Sequence, residues 1–146
     1  MTKRIFKSIF LAAFCVLLAS LVIITGCLYE YYSKTFENQM RDELDLAAAA
    51  VDISGSGYLK AIAPSGYRLS LIDKNGKVLY DTVQDADTLT NHADRDEVKQ
   101  ALENGDGSST RYSFTLLKKT TYIAKKLGNG NILRISSSRA TVGMLV

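Results

Sequence analysis

The longest apolar run in the chain covers residues 9–28 and contains no charged side chain. As a helix rising about 1.5 Å per residue, twenty residues extend about 30 Å, which is the thickness of a bilayer's hydrocarbon core. Lys3, Arg4 and Lys7 precede the run, whereas acidic residues follow it. The pattern therefore predicts a transmembrane helix, with residues 1–8 in the cytoplasm and residues from 29 onward outside the cell membrane.

Two other interpretations of this segment remain open. A cleaved signal peptide is disfavoured because its small residues lie too deep inside the apolar run. Residues 24–27, Ile-Thr-Gly-Cys, are similar to a lipobox, in which Cys27 would be acylated and become the new N-terminus. In an uncleaved chain, Cys27 would instead be placed to cross-link two copies of a dimer. The uncleaved anchor is preferred because an aromatic belt typical of a membrane interface follows directly. This belt consists of Tyr29, Tyr31 and Tyr32.

Residues 29–52 continue the helical pattern, with apolar side chains recurring every three to four positions. The recurring residues are Tyr32, Phe36, Met40, Leu44, Ala47 and Val51. A stripe of this kind packs on the protein's own core and also suits contact with a second copy, so we expect a homodimer. Glycines at 55 and 57 predict the end of this helix.

The next pattern changes from helical to strand periodicity. Residues 67–73 alternate apolar and polar, Asn75-Gly76 favours a tight turn, and residues 77–81 return as the second strand of a hairpin. After a polar loop, Asp94 is predicted to cap a helix in which Glu97 takes the N3 position, and Gly105 is predicted to end that helix.

The remaining chain predicts three strands, in residues 110–113, 115–127 and 132–137, with a Gly-Asn turn at 128–131. The expected fold class is α+β, with a central antiparallel sheet of about five strands and helices on one face. This element order is that of PAS-like exported sensor domains.

Composition excludes several functions. The net charge is +3, and no basic stripe with interleaved aromatic residues indicates a nucleic-acid partner. Cys15 and Cys27 are twelve positions apart on one predicted helix, about 18 Å, and therefore cannot form a disulfide with each other. The single histidine, His92, has no neighbouring ligand set for a metal, and no nucleophile motif accompanies it.

Several short motifs together resemble the extracytoplasmic sensor of Gram-positive sensor histidine kinases, most closely the phosphate-regulon type of Firmicutes. They are Asp73-x-Asn75-Gly76-x-Val78-Leu79-Tyr80-Asp81, Asn91-His92-x-Asp94-Arg95-x-Glu97-Val98, Ala101-Leu102-x-x-Gly105, Arg111-Tyr112-Ser113 and Leu133-Arg134-Ile135-Ser136. The resemblance implies a PAS-like, single Cache-type sensor domain over residues 53–138. It also implies that residues 139–146 begin a second transmembrane helix that is truncated here.

The resemblance further implies that the catalytic parts lie outside this chain. The parent would be a two-component histidine kinase that uses ATP and Mg²⁺ and passes a phosphoryl group to a response regulator in a phosphorelay. No catalytic residue and no cofactor are expected in residues 1–146. Because such sensors are exchanged among output domains, a chemoreceptor or a diguanylate cyclase is an alternative parent, and a lipoprotein or tethered binding domain acylated at Cys27 is another.

Three residues form the candidate ligand site. The commoner role for a lone histidine such as His92 is that of a polar residue in the loop that enters the helix. In the alternative interpretation, His92 and Arg95 line a small cavity between loop and sheet, where an arginine can bind an anion or carboxylate through two hydrogen bonds. Arg111 or Arg134 on the later strands is expected to join them. The acidic loop of Asp81, Asp85 and Asp87 is interpreted as solvated and not as a cation site, since it has neither the glycine nor the terminal glutamate of a calcium loop.

Overall fold

The computed structural model describes residues 1–62, 67–113 and 118–140. The chain forms two compact units, Met1–Asn38 and Gln39–Val146. The predicted beginning of a second membrane helix falls mostly on residues 141–146, which lie outside the described residues.

The first unit is helical and belongs to α1, which runs from Thr2 to Ser54. Its apolar side chains are exposed, including Phe10, Leu17 and Ile23. By length and composition α1 is the one helix among the described residues that is able to cross a membrane, and a signal sequence would also meet this criterion. The structure thus contains the predicted apolar helix, whereas its orientation across a membrane remains a prediction.

The second unit holds the other helices and the strands. Their bounds are α2 Ser56–Ala61, β1 Arg68–Ile72, β2 Val78–Asp81, a short 3₁₀ helix Ala86–Thr88, α3 Asp96–Asn104, β3 Asp106–Ser113, β4 Lys118–Lys126 and β5 Ile132–Ala140. The strands form one antiparallel sheet in the order β2-β1-β5-β4-β3. This arrangement confirms the α+β class and the five strands, and it is consistent with a PAS/Cache-like sensor domain.

Both predicted hairpins are present. β1 and β2 are joined by the turn at Asn75 and Gly76, where Gly76 has a φ of +88° that favours glycine. β4 and β5 pair from Lys118 opposite Ala140 to Lys126 opposite Ile132. In contrast, β1 pairs with β5 through residues sixty or more positions apart, which no local pattern indicates.

The sheet is covered by helices on both faces, so the expectation of helices on one face is wrong. Neighbouring residues of a strand point to opposite faces. On β4, Lys125 forms an ion pair with Asp45 of α1, whereas Ala124 belongs to the apolar cluster of Val98 and Ala101 of α3. The central strands have buried side chains on both faces of the sheet. Each face must therefore be covered by another element, such as a helix.

The face covered by α1 holds the larger group of apolar residues. On α1 they are Met40, Leu44, Ala47, Ala48 and Val51, and the buried strand residues that alternate toward this face are Leu69, Leu71, Ile123, Leu133 and Ile135. Four of the six residues in the predicted helical stripe are buried. Tyr32 is 61% exposed and does not belong to the core.

The predicted cap of α3 is wrong. The helix begins at Asp96, and Arg95 takes the N-cap position without a side-chain capping bond. Glu97 therefore lies at the second helical position, and its carboxylate bonds to sheet residues instead of the helix end. The predicted stop is confirmed, because Gly105 caps the C-terminus in the left-handed conformation with a φ of +91°.

Candidate functional site

The face of the sheet beneath α3 carries a buried carboxylate at its centre. Glu97 is fully buried in the first turn of α3. One carboxylate oxygen accepts hydrogen bonds from the Arg111 guanidinium on β3 at 2.6 Å and from the Ser109 hydroxyl at 2.6 Å. The other accepts from Arg134 on β5 at 3.1 Å. Glu97 thus ties α3 to two strands that are separated in the sheet by β4.

The ionised form of this carboxylate is favoured. Burial is the largest single influence and disfavours the charge, but hydrogen bonds from Ser109 and Arg111 and the arginine charge outweigh it, so the pKa of Glu97 lies below its ordinary value. For Arg134, which is 4% exposed, burial lowers the guanidinium pKa despite the attraction of Glu97. A guanidinium nevertheless remains protonated in proteins, so the two groups form a buried ion pair.

A second buried carboxylate, Asp81, lies at the end of β2. Its two oxygens accept bonds from the Arg68 Nε at 3.0 and 2.9 Å, and one of them also accepts from the Ser70 hydroxyl at 2.7 Å. The backbone N–H groups of Val83 and Gln84 donate to Asp81 as well. Burial opposes the charge, yet these hydrogen bonds hold the pKa of Asp81 below its ordinary value.

The two centres are connected through β5 and β4. A guanidinium nitrogen of Arg134 lies 3.5 Å from the Ser70 hydroxyl, which in turn donates to Asp81. The Tyr122 ring of β4 is contacted by two guanidinium groups, Arg111 at 4.2 Å and Arg134 at 5.1 Å from its centre. We call this set the charged network; its members are Arg68, Ser70, Asp81, Glu97, Ser109, Arg111, Tyr122 and Arg134. Every strand of the sheet contributes to it.

The three predicted ligand residues contact different partners in the structure. His92 is buried, and its backbone N–H donates to the Gly76 carbonyl at 2.8 Å. Arg95 follows at the start of α3, with its Nε 3.9 Å from a carboxylate oxygen of Asp94. Arg111 is engaged by Glu97 in the charged network. Whether these residues bind a ligand remains a prediction.

His92 is a buried titratable group with unused hydrogen-bonding capacity. Its Nδ1 has no hydrogen-bond partner among the described residues, and the same is true of the Nε atoms of Arg95 and Arg134. Burial and then the positive charge of Arg134 lower the pKa of His92 below its ordinary value of 6.5, with Arg95 adding to this and Glu97 opposing it. The imidazole is therefore neutral at pH 7.

We expect stability to fall on mild acidification because of His92. A lowered folded pKa means that the unfolded chain binds more protons between that pKa and about 6.5, so stability is lost as the pH falls through this window. Urea midpoints of the chain in lipid nanodiscs at pH 7.0, 6.0 and 5.5 measure the effect. For one proton, the free energy of unfolding is expected to change with pH by no more than about 1.4 kcal/mol per pH unit.

His92→Gln is the matched variant for this measurement, because it keeps a polar side chain but does not titrate. This variant should make stability nearly independent of pH above pH 5.5. Stability should still be lost at lower pH, because Glu97 and Asp81 are protonated there, at pKa values below their ordinary ones of 4.5 and 3.8. Equal slopes in both proteins would refute the role of His92.

A shallow cavity of about 250 Å³ lies beside the charged network. It is lined by Tyr67, Arg68, Val83, Thr120, Tyr122, Ser136, Ser137 and Ser138. Hydroxyl groups and one guanidinium suit a small polar or anionic group. Sequence reasoning did not select these residues; the alternation of Arg134, Ser136 and Ser138 along β5 is the signal that places polar groups on one face.

The remaining predicted sites lie on α1. Cys27 is exposed and is a free thiol. Tyr29, Tyr31 and Tyr32 are all exposed, and the last two contact each other edge to face at 5.7 Å between ring centres. A role at a membrane interface or in lipidation stays a prediction. Among the described residues there is no group of three or more His, Cys, Asp or Glu side chains able to hold a metal ion.

Comparison with protein families and with curated proteins finds no match. Among solved structures, the chain is similar to the "extracellular domain of the putative histidine kinase rpHK1S-Z16", with 17% sequence identity and a TM-score of 0.43. The match covers 62% of this chain and 39% of that one. This chain thus spans about two fifths of the length of that structure.

Proposed function

We propose that this chain is the membrane anchor and extracytoplasmic sensor portion of a bacterial two-component sensor histidine kinase. One observation carries the proposal. A single helix, α1, contains both an apolar segment and a stripe of core residues, and the same chain forms a PAS-like sheet. The sequence motifs support the finer assignment to the phosphate-regulon type of Firmicutes. The enzymatic parts, with ATP, Mg²⁺ and the response regulator, would belong to the parent protein beyond residue 146.

In the proposed mechanism, a signal changes the balance between two arrangements of a sensor dimer. A ligand shifts such a balance only by binding one arrangement more tightly than the other. The charged network is suited to report such binding, because Glu97 connects α3 to β3 and β5. Both α1, which carries the apolar segment, and β5, which precedes residues 141–146, would transmit the change to the membrane.

Labelling of single cysteines tests the topology. In a C15S/C27S background, Lys74→Cys in the turn between β1 and β2 and Ser8→Cys before the apolar run provide two exposed thiols. A membrane-impermeant maleimide should label Lys74→Cys in intact cells, and Ser8→Cys only after lysis, because residues 1–8 are predicted to be cytoplasmic. The reverse pattern, or labelling of both in intact cells, would overturn the proposal.

The intact mass of the membrane-extracted protein decides between the anchor and the second candidate, a lipoprotein. The Ile-Thr-Gly-Cys sequence at residues 24–27 favours that candidate. A product that begins at Met1 supports the signal anchor, whereas a diacylated product that begins at Cys27 supports a tethered binding domain. The coding sequence after residue 146 discriminates the parents: a His-Glu-x-x-Thr-Pro helix indicates the kinase, and a methylated coiled coil indicates a chemoreceptor.

A further inference from the structure

Charge is divided unequally along the part of the chain that follows the apolar run. Residues 107–146 contain seven Lys and Arg and no Asp or Glu. Residues 29–106 contain all fifteen acidic residues and eight basic ones. A charge asymmetry of this kind indicates a surface that meets a partner of opposite charge. Strands β3, β4 and β5 lie in the basic part.

Part of this positive charge is neutralised within the domain. Glu97 pairs with Arg111 and Arg134, and Asp45 of α1 pairs with Lys125 at 2.7 Å. Lys118 and Lys119, at the beginning of β4, have no carboxylate within ion-pair distance among the described residues. Among the described residues Lys126 has none either, so β4 carries two unpaired lysines at its beginning and one at its end.

An exposed aromatic residue accompanies these lysines. Tyr112 is 54% exposed and lies directly opposite Lys119 in the pairing of β3 with β4. The Lys119 ammonium lies 5.7 Å from the centre of the Tyr112 ring. On the other side, β5 places Arg139 opposite Lys119. We call Tyr112, Lys118 and Lys119 the basic end of the sheet.

Two contacts within the second unit give the direction of α1 along the sheet. Asp45 contacts Lys125, and further along α1 the Asp52 carboxylate accepts a bond from the Gly128 N–H at 3.2 Å. Over this stretch α1 and β4 therefore run in the same direction. Lys118 precedes Lys125 by seven strand residues, about 23 Å. Lys118 therefore lies toward the beginning of the part of α1 that belongs to this unit. That part begins at residue 39 and is continuous in sequence with the apolar run.

We propose that the basic end of the sheet binds the anionic headgroups of the bilayer into which the apolar run inserts. Lysine and tyrosine suit this role, because each has an apolar body and a polar tip that match the depth of a membrane interface. Each lysine near an anionic surface contributes about 1 kcal/mol, a roughly fivefold change in the docked-to-undocked ratio. The inference rests on the membrane insertion in the proposed function.

Fluorescence quenching in nanodiscs tests the contact. The full chain in a C15S/C27S background carries a bimane label at Ser138→Cys, on the strand beside Lys119, or at Asn129→Cys in the turn at the opposite end of β4. The discs contain a lipid with a nitroxide on its headgroup, in either phosphatidylcholine alone or a mixture with 30% phosphatidylglycerol. The label at position 138 should be quenched strongly only in the anionic discs, and the label at 129 in neither.

Matched charge variants identify the residues. K118Q/K119Q should lower the docked-to-undocked ratio roughly 30-fold, which corresponds to about 1 kcal/mol for each lysine. The quenching of the label at position 138 should then fall to the level measured in neutral discs. K126Q removes one positive charge at the other end of β4, where Lys126 is exposed, and should change nothing. Equal quenching in both lipid mixtures, or equal effects of K118Q/K119Q and K126Q, would overturn the contact. A chain that does not co-purify with discs would instead overturn the membrane insertion on which both proposals depend.

Discussion

Glu97→Ala should lower the free energy of unfolding of the second unit by about 3–5 kcal/mol, the largest effect of any substitution considered for this chain. Removing the carboxylate leaves Arg134, which is 4% exposed, as an uncompensated charge inside the protein. It also removes the acceptor for Arg111 and Ser109. Urea unfolding of the full chain in nanodiscs, followed by circular dichroism at pH 7, measures the loss.

The same helix supplies the control for this experiment. Glu103 is an exposed glutamate of α3, and Glu103→Ala should change stability by no more than about 0.5 kcal/mol. Glu97→Gln keeps the shape and part of the hydrogen bonding, so it should fall between the two. If Glu97→Ala were no more damaging than Glu103→Ala, the charged network would not contribute to stability.

Leu133→Ala should lower the free energy of unfolding by about 2–5 kcal/mol. Leu133 is fully buried on the central strand β5, on the face that α1 covers. Its truncation removes apolar contacts and leaves a cavity that the surrounding sheet fills only in part. Hydrogen exchange of the β5 amides in nanodiscs, read by mass spectrometry, reports the free energy of opening.

Leu79→Ala is the matched substitution for Leu133→Ala, because Leu79 is 45% exposed on the edge strand β2. We expect a change below about 1 kcal/mol there, since solvent already surrounds much of the side chain. Similar losses at both positions would show that the α1 face is not the main core of the unit. Together the Glu97 and Leu133 experiments compare how much each face of the sheet contributes to the free energy of unfolding.

Local sequence patterns were sufficient for most of the elements. The hairpin at Asn75-Gly76 and the end of α3 at Gly105 are confirmed because a turn or a helix stop depends on neighbouring residues and on the conformational freedom of glycine. The start of α3 is one residue later than predicted, with the N-cap at Arg95 instead of Asp94. Asp94 matched the capping pattern, but Glu97, the other half of that pattern, is instead held by arginines from distant strands.

The site was less predictable than the fold. Arg111 was selected, and the structure places it in the charged network, although as a partner of Glu97 instead of a free ligand-binding group. Arg68 and Ser70 received no functional role from the sequence. Asp81 is predicted to belong to a solvated acidic loop, which is wrong, because it is buried and bound by Arg68 and Ser70. Their connection depends on β1 lying beside β5, a pairing between residues sixty or more positions apart.

The sequence by itself determined the properties that depend on local order: an apolar helix long enough to cross a membrane, an α+β arrangement of five strands, and the concentration of positive charge after residue 106. Only the tertiary structure decided the strand order, the helix on each face of the sheet, and the burial of Glu97 between Arg111 and Arg134. Periodicity reports which residues share a face of one element, whereas burial and ion pairing depend on which elements meet.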